Sequence, residues 1–94
     1  MPTIVNYRTP SGKDVISEFI EAQDKPTQAK ILDKIDELAE LGHEAKMPLV
    51  KKIVNTPLWE LRLKDSTGQY RIFYFAQEAD VYILLHAFKK KTEK

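Results

Sequence analysis

The sequence has 94 residues and a mass of 10.9 kDa, so a single compact domain spanning residues 1–94 is expected. Hydrophobic residues make up 43% of the chain and there is no cysteine, which excludes a disordered protein, a disulfide framework and a thiolate metal site and indicates a reducing compartment. The net charge is only +1, but residues 47–94 carry nine Lys or Arg against five Asp or Glu, so the second half is basic.

The first half of the chain predicts one strand and two helices. Residues 3–7 are rich in β-branched and aromatic side chains and predict a strand. Ser11 is predicted to cap a helix that has an apolar stripe at residues 15, 16, 19 and 20 and ends near Asp24. A second stripe over residues 31–41 ends at Gly42, so the two helices form a hairpin.

The second half predicts a three-stranded meander. Residues 47–54 lack a clean period and are predicted as a loop. Strands are predicted at residues 58–63, 69–76 and 81–88, because these runs are apolar or aromatic and are separated by short polar turns. The expected fold is therefore α+β, in the order β-α-α-β-β-β, with the helical hairpin on one face of a small, mainly antiparallel sheet.

Strand alternation divides the meander into two faces. Trp59, Leu61 and Leu63 share one face and are predicted to be core residues. In the last strand, Ile83, Leu85 and Ala87 are assigned to the same core face. The face that the helices leave uncovered is then expected to carry two guanidiniums, an imidazole, an ammonium and a carboxylate, from Arg62, Arg71, His86, Lys90 and Glu60.

This uncovered face has two interpretations. The first is a solvated sheet surface with weak cross-strand ion pairs such as Glu60 to Arg71, and with His86 as a structural histidine. The second is an RNA-binding surface, because Phe73, Phe75 and Tyr82 are assigned to the same face and aromatics among cations suit unpaired bases and phosphates. The pattern alone leaves both open.

Other functional classes find less support. The two histidines are more than forty residues apart and there is no cysteine, so no metal site is expected. Three scattered glycines cannot build a phosphate-binding loop or a nucleophile elbow. Residues 1–8 lack the apolar core of a signal peptide, and no run approaches the roughly 18 apolar residues of a membrane span. A cytoplasmic protein is expected.

Three segments of the second half resemble a known family. The motifs W-E-L-R at 59–62, Y-R-I-F-Y at 70–74 and L-L-H-A-F-K-K-K-T at 84–92 are similar to the RelE/HigB-type toxins of bacterial and phage type II toxin–antitoxin modules, and closest to their HigB-like branch. The resemblance implies a RelE-like fold and an mRNA endoribonuclease that acts at the ribosome. It also implies a cognate antitoxin partner, usually of the helix-turn-helix type in this branch.

Family members commonly continue past the lysine cluster into a Thr-Pro step and a C-terminal helix, whereas this sequence stops at Lys94. Either the natural protein is short or this sequence is truncated, and the sequence leaves both open. Two alternatives to the nuclease keep the fold: a ParE-like toxin that poisons DNA gyrase, and a catalytically inactive module that only binds an antitoxin.

RNA cleavage without a metal can use the 2′-hydroxyl of the substrate as the nucleophile, so no cofactor is expected. Arg62 and Arg71 are the candidates for holding the scissile phosphate and stabilising its developing charge. His86 could act as general acid toward the leaving oxygen or as base toward the 2′-hydroxyl, and Glu60 is the alternative base.

Four further residues are candidates for binding RNA without taking part in the chemistry. Lys89, Lys90 and Lys91 would hold the backbone of the message or of ribosomal RNA by charge. Phe73 would stack on an unpaired base.

Overall fold

The computed structural model describes residues 1–77 and 80–90. Two helices, α1 (Val15–Glu21) and α2 (Lys25–Leu41), pack on a sheet of five strands, β1 (Thr3–Asn6), β2 (Val50–Lys52), β3 (Leu58–Asp65), β4 (Gly68–Gln77) and β5 (Val81–Lys90). The strand order is β1-β5-β4-β3-β2, with β1 parallel to β5 and the other neighbours antiparallel. The predicted α+β class and helical layer are confirmed, with β2 as an additional strand. Within the described ranges, no helix is long and apolar enough to cross a membrane.

The core lies between the helices and the sheet. Ile16 of α1 and Ile31 and Leu38 of α2 are fully buried in one cluster with Leu61 of β3 and Leu84 of β5. Full burial of an aliphatic side chain of this size stabilises a fold by about 1.5–3 kcal/mol. These contacts fix which side of the sheet the helices cover.

The alternation predicted for β3 is confirmed. Trp59, Leu61 and Leu63 face the helices, and Trp59 packs against the core with its ring stacked on that of Tyr74 at a centroid distance of 6.5 Å. Glu60 and Arg62 consequently lie on the other side of the strand.

Both helices begin at an aspartate. The side chain of Asp14 accepts a hydrogen bond from the backbone N–H of Ser17 and caps α1, and Asp24 does the same for α2 through Thr27. The prediction that Ser11 caps α1 is wrong, because its hydroxyl bonds to Thr9 within the preceding turn. The backbone N–H of Ser17 holds the pKa of Asp14 below its ordinary range, and the hydroxyl and then the backbone N–H of Thr27 do the same for the pKa of Asp24.

The short edge strand β2 lies within a segment predicted as loop. Val50 pairs with Leu61 and Lys52 with Trp59. The strand is three residues long and two of its side chains are exposed lysines, so it carries no apolar alternation. Its extended conformation comes from pairing with β3, which a local pattern cannot show.

A register shift between β4 and β5 corrects the assignment of faces in the last strand. Phe73 pairs with His86, but Tyr74 pairs with Leu84, so Leu85 is left without a partner. The extra residue reverses the alternation before it, and Tyr82 and Leu84 are buried in the core with only 2% and 1% exposure. The assignment of Ile83 and Leu85 to the core face, and of Tyr82 to the uncovered face, is therefore wrong.

Candidate active site

The face of the sheet that α1 and α2 leave uncovered, called the open face below, carries most of the predicted site. Directly paired residues of neighbouring strands point to the same side of a sheet. Pairing across β3, β4 and β5 forms three successive rows on the open face: Glu60, Phe73 and His86; Arg62, Arg71 and Phe88; and Lys64, Gln69 and Lys90.

Glu60 is the centre of the charged cluster. Its Oε1 atom lies 3.2 Å from Nη1 of Arg71 and 3.3 Å from Nε of Arg62. The residue is only 8% exposed, and Oε1 makes no aligned hydrogen bond with a described residue, so the attraction is mainly between charges. A buried carboxylate is tolerated when it is paired, and here two guanidiniums share that role.

The two arginines keep free surface although Glu60 restrains them. Their side chains are 29% exposed for Arg62 and 22% exposed for Arg71. Arg71 also donates from Nη2 to Oε1 of Gln69 at 2.8 Å, so its guanidinium is held on two sides. The Nη1 atom of Arg62 lies 3.8 Å from the sulfur of Met47.

Gln69 is a site residue that the sequence interpretation missed. It lies two residues before Arg71 in β4, and alternation places positions 69, 71 and 73 on one face. That spacing was visible in the sequence. The hydrogen bond from Arg71 to Gln69 now assigns it the position of a neighbour that orients the guanidinium.

His86 lies at the other end of the first row. Its ring stacks on Phe88 with centroids 6.4 Å apart, and Phe88 in turn contacts Phe73 at 5.4 Å. Phe73 stands between His86 and Glu60, which are two strand spacings apart, or about 10 Å. This distance is too long for a direct proton transfer between Glu60 and His86.

The lysines predicted to bind RNA are separated. Lys90 pairs with Gln69 and belongs to the open face. Lys89 points to the opposite side, where its Nζ atom lies 5.4 Å from the ring centroid of the core residue Tyr70. Lys91 lies outside the described residues.

The chemistry of this cluster suits an anion. Guanidiniums stay protonated and offer forked donors that match a phosphate, and the single carboxylate of Glu60 offsets only one of the two. The exposed imidazole of His86 adds a group that can carry a proton beside this site. Within residues 1–77 and 80–90, no group of three His, Asp or Glu side chains could hold a metal ion.

Known proteins include a family and a solved structure to which this chain is similar. The family described as phage-derived protein Gp49-like (DUF891) matches residues 18–94. The fold is similar to that of a chain in the crystal structure of the intact E. coli RelBE toxin–antitoxin complex, with a TM-score of 0.67, 14% sequence identity and full coverage of both chains. A comparison with curated protein sequences gives no significant match.

Proposed function

The chain belongs to the phage-derived Gp49-like family, a family of RelE/HigB-like toxins, and from this premise we propose that it is the toxin of a type II toxin–antitoxin module that cleaves mRNA at the ribosome. The observation that carries the proposal is the pair Arg62 and Arg71, held by one buried carboxylate on a sheet face that the helices do not cover. Motif 84–92 supports membership of the HigB-like branch.

The proposed reaction is an attack by the 2′-hydroxyl of RNA on the adjacent phosphorus. The bond from the 2′-oxygen to phosphorus forms and the bond to the 5′-oxygen breaks, which leaves a 2′,3′-cyclic phosphate and a 5′-hydroxyl. Arg62 and Arg71 bind the phosphate oxygens and stabilise the charge that develops on them. No metal takes part in this scheme.

Two protons move in this reaction. The 2′-hydroxyl loses one and the 5′-oxygen gains one. We assign His86 to one of these transfers, because its imidazole is exposed on the open face near the arginine row. Water completes the other transfer.

Glu60 has a different role in the proposal from that of a general base. Its carboxylate is buried and lies against both guanidiniums, which leaves little access for a 2′-hydroxyl. Glu60 therefore acts as a positioning residue that fixes the two arginines in register for one phosphate.

The remaining candidates bind the RNA strand. Phe73 and its neighbour Phe88 offer a partly exposed aromatic surface beside the arginines, on which an unpaired base can stack. Lys90 extends the positive charge of the open face. Lys89 would contact RNA only if the RNA also reached the opposite side of the sheet. Lys91 follows Lys90 in the same basic segment of the sequence.

A cognate antitoxin completes the proposed module. The toxin acts on cytoplasmic messages, so a companion protein must hold it silent. We expect an antitoxin of the helix-turn-helix type with an acidic segment, because the open face that it has to silence is positively charged.

Induced expression in a bacterial host tests the proposed function. The wild-type chain should arrest growth, and new mRNA 5′ ends should appear within translated regions. Arg62→Ala and Arg71→Ala should remove both effects at unchanged soluble yield. Growth arrest with intact mRNA and blocked gyrase supercoiling would show a gyrase poison in place of a nuclease. Absence of both growth arrest and mRNA cleavage would show an inactive module that only binds an antitoxin.

A further inference from the structure

A groove of about 480 Å³ opens at the edge of the sheet beside the arginine pair. The strand β2 pairs with β3 as far as Leu61, and the backbone N–H of Arg62 donates to the carbonyl of Leu49, just before β2, at 2.9 Å. The helix α2, the loop before β2 and the β3–β4 hairpin form its walls. Its volume falls in the range of about 300–1,000 Å³ that is usual for small-molecule sites.

The groove is positively charged and continuous with the open face. Arg62 and Arg71 both line it, and Lys64 and Lys34 add two further cations, against the single carboxylate of Glu37. Lys34 lies on α2, so the positively charged lining of the groove extends from the arginine pair to the helical layer.

We propose that this groove binds the nucleotide next to the scissile phosphate, and that Lys34 on α2 contacts the phosphate of that nucleotide. The inference rests on the proposed function and adds a binding subsite to it. An RNA strand held at Arg62 and Arg71 has to continue in some direction, and these two side chains also line the cationic groove.

The composition of the walls suits a nucleotide. Pro48 and Leu63 provide apolar contacts for a base or sugar, whereas the cations lie around them. Glu37 pairs with Lys34 at 3.3 Å, so the free protein already neutralises part of the charge that a phosphate would meet. Removing Glu37 should therefore strengthen anion binding, and removing Lys34 should weaken it.

The chain offers a matched control pair. Lys13 and Glu18 form an exposed ion pair at 3.5 Å, close in length to the pair of Lys34 and Glu37, but neither residue lines the groove. Lys34→Gln and Lys13→Gln change the net charge equally, as do Glu37→Gln and Glu18→Gln. Any difference within each pair of variants comes from position and not from total charge.

The experiment measures binding of a fluorescent single-stranded RNA 12-mer with 2′-O-methyl groups, which block cleavage, by anisotropy at several salt concentrations. Lys34→Gln should weaken binding about threefold to fivefold at low salt, and Glu37→Gln should strengthen it about twofold to threefold. Loss of one phosphate contact should also reduce the salt slope by about 0.7 for Lys34→Gln. Lys13→Gln and Glu18→Gln should leave both quantities close to wild type.

Equal changes in RNA affinity in the groove and control variants, or no change in Lys34→Gln, would overturn the subsite. Binding of the RNA by the wild-type protein would in that case still support the proposed function. Wild-type protein that does not bind the RNA would count against both. A glutamate-rich peptide that binds more tightly than the RNA, and loses affinity in Lys34→Gln, would assign the groove to an acidic protein partner and overturn the RNA subsite.

Discussion

Glu60 determines what the two arginines can do. An isolated carboxylate buried to this degree would be costly, so its proximity to Arg62 and Arg71 is also what makes its burial possible. The same contacts hold two long, flexible side chains in fixed positions before any ligand arrives. An arrangement of this kind lowers the entropic cost of clamping a phosphate.

Arg71→Ala should reduce the rate of RNA cleavage about 100-fold to 1,000-fold, the usual effect of removing one donor to a developing oxyanion. The free energy of unfolding should fall by only about 1–3 kcal/mol, because Glu60 keeps its contact with Arg62. Single-turnover cleavage and urea unfolding measure the two effects. A variant with wild-type cleavage would remove Arg71 from the site.

Glu60→Gln and His86→Gln separate positioning from proton transfer. A glutamine at position 60 keeps an acceptor near the guanidiniums, so the rate should fall about tenfold and the shape of its pH dependence should stay the same. His86→Gln should lose the limb that a proton-transferring side chain contributes to the pH–rate profile. Loss of that limb in Glu60→Gln instead would make Glu60 the base.

At the level of elements, the β-bulge at Leu85 decides which side chains of β5 enter the core. The side chain of Tyr82 stacks on Tyr74 in the core and not on the open face. Burial there raises the pKa of the Tyr82 hydroxyl. Without the extra residue, the part of β5 before the bulge would present its other face to the helices. The bulge thus allows the core residues Leu84 and Ala87, three positions apart, to face the same side.

Tyr82→Ala should lower the free energy of unfolding by about 3–5 kcal/mol, because it leaves a cavity in the core. Tyr7→Ala should cost less than about 1 kcal/mol, since Tyr7 is 43% exposed. Chemical denaturation of the two variants provides the comparison. Equal and small losses would mean that Tyr82 lies on the open face, as plain alternation predicts.

Asp65 links the β3–β4 hairpin to α2, and it should make the free energy of unfolding depend on pH in the acid range. A hydrogen bond from the Thr67 hydroxyl lowers its pKa most, followed by backbone N–H donors and the charge of Lys30. The lowered pKa means that this stabilisation is complete above the unfolded pKa near 3.8 and is lost as pH falls through the folded pKa. Each unit between the two values is worth about 1.4 kcal/mol.

Denaturation between pH 5 and pH 2 tests this contribution. Asp65→Asn should cost about 1–3 kcal/mol at neutral pH and flatten the loss of stability in acid. Asp36→Asn, at an exposed position of α2, should leave the acid dependence unchanged. If the free energy of unfolding of Asp65→Asn falls with pH as steeply as that of the wild type, Asp65 does not cause the loss of stability in acid.

For the whole molecule, much of the fold follows from periodicity. The stripes of α1 and α2 and the alternation of β3 depend on residues close in sequence, and they predict the face on which Arg62 and Arg71 meet Glu60. The Gly42 end of α2 was also predictable, since the residue adopts a positive φ of 54° there.

The differences arise where partners distant in sequence decide the local conformation. The strand β2 forms because β3 supplies its hydrogen bonds, and the bulge at Leu85 forms because β5 must match β4 on both sides of it. Neither Lys51 nor Leu85 carries a local pattern that reveals this. The groove beside Lys34 likewise brings together residues of α2, of the loop before β2 and of β3 and β4, which are distant in sequence.

In the proposed reaction the open face promotes attack by the 2′-hydroxyl of RNA, and removal of a single 2′-hydroxyl from the substrate tests this step. Purified protein is incubated with ribosomes carrying a labelled message, and then with the same message containing a single 2′-deoxynucleotide at the mapped cleavage position. We expect a 2′,3′-cyclic phosphate product from the first message and no cleavage at that position in the second. Cleavage at the deoxy position, or a product with a 3′-hydroxyl, would contradict it.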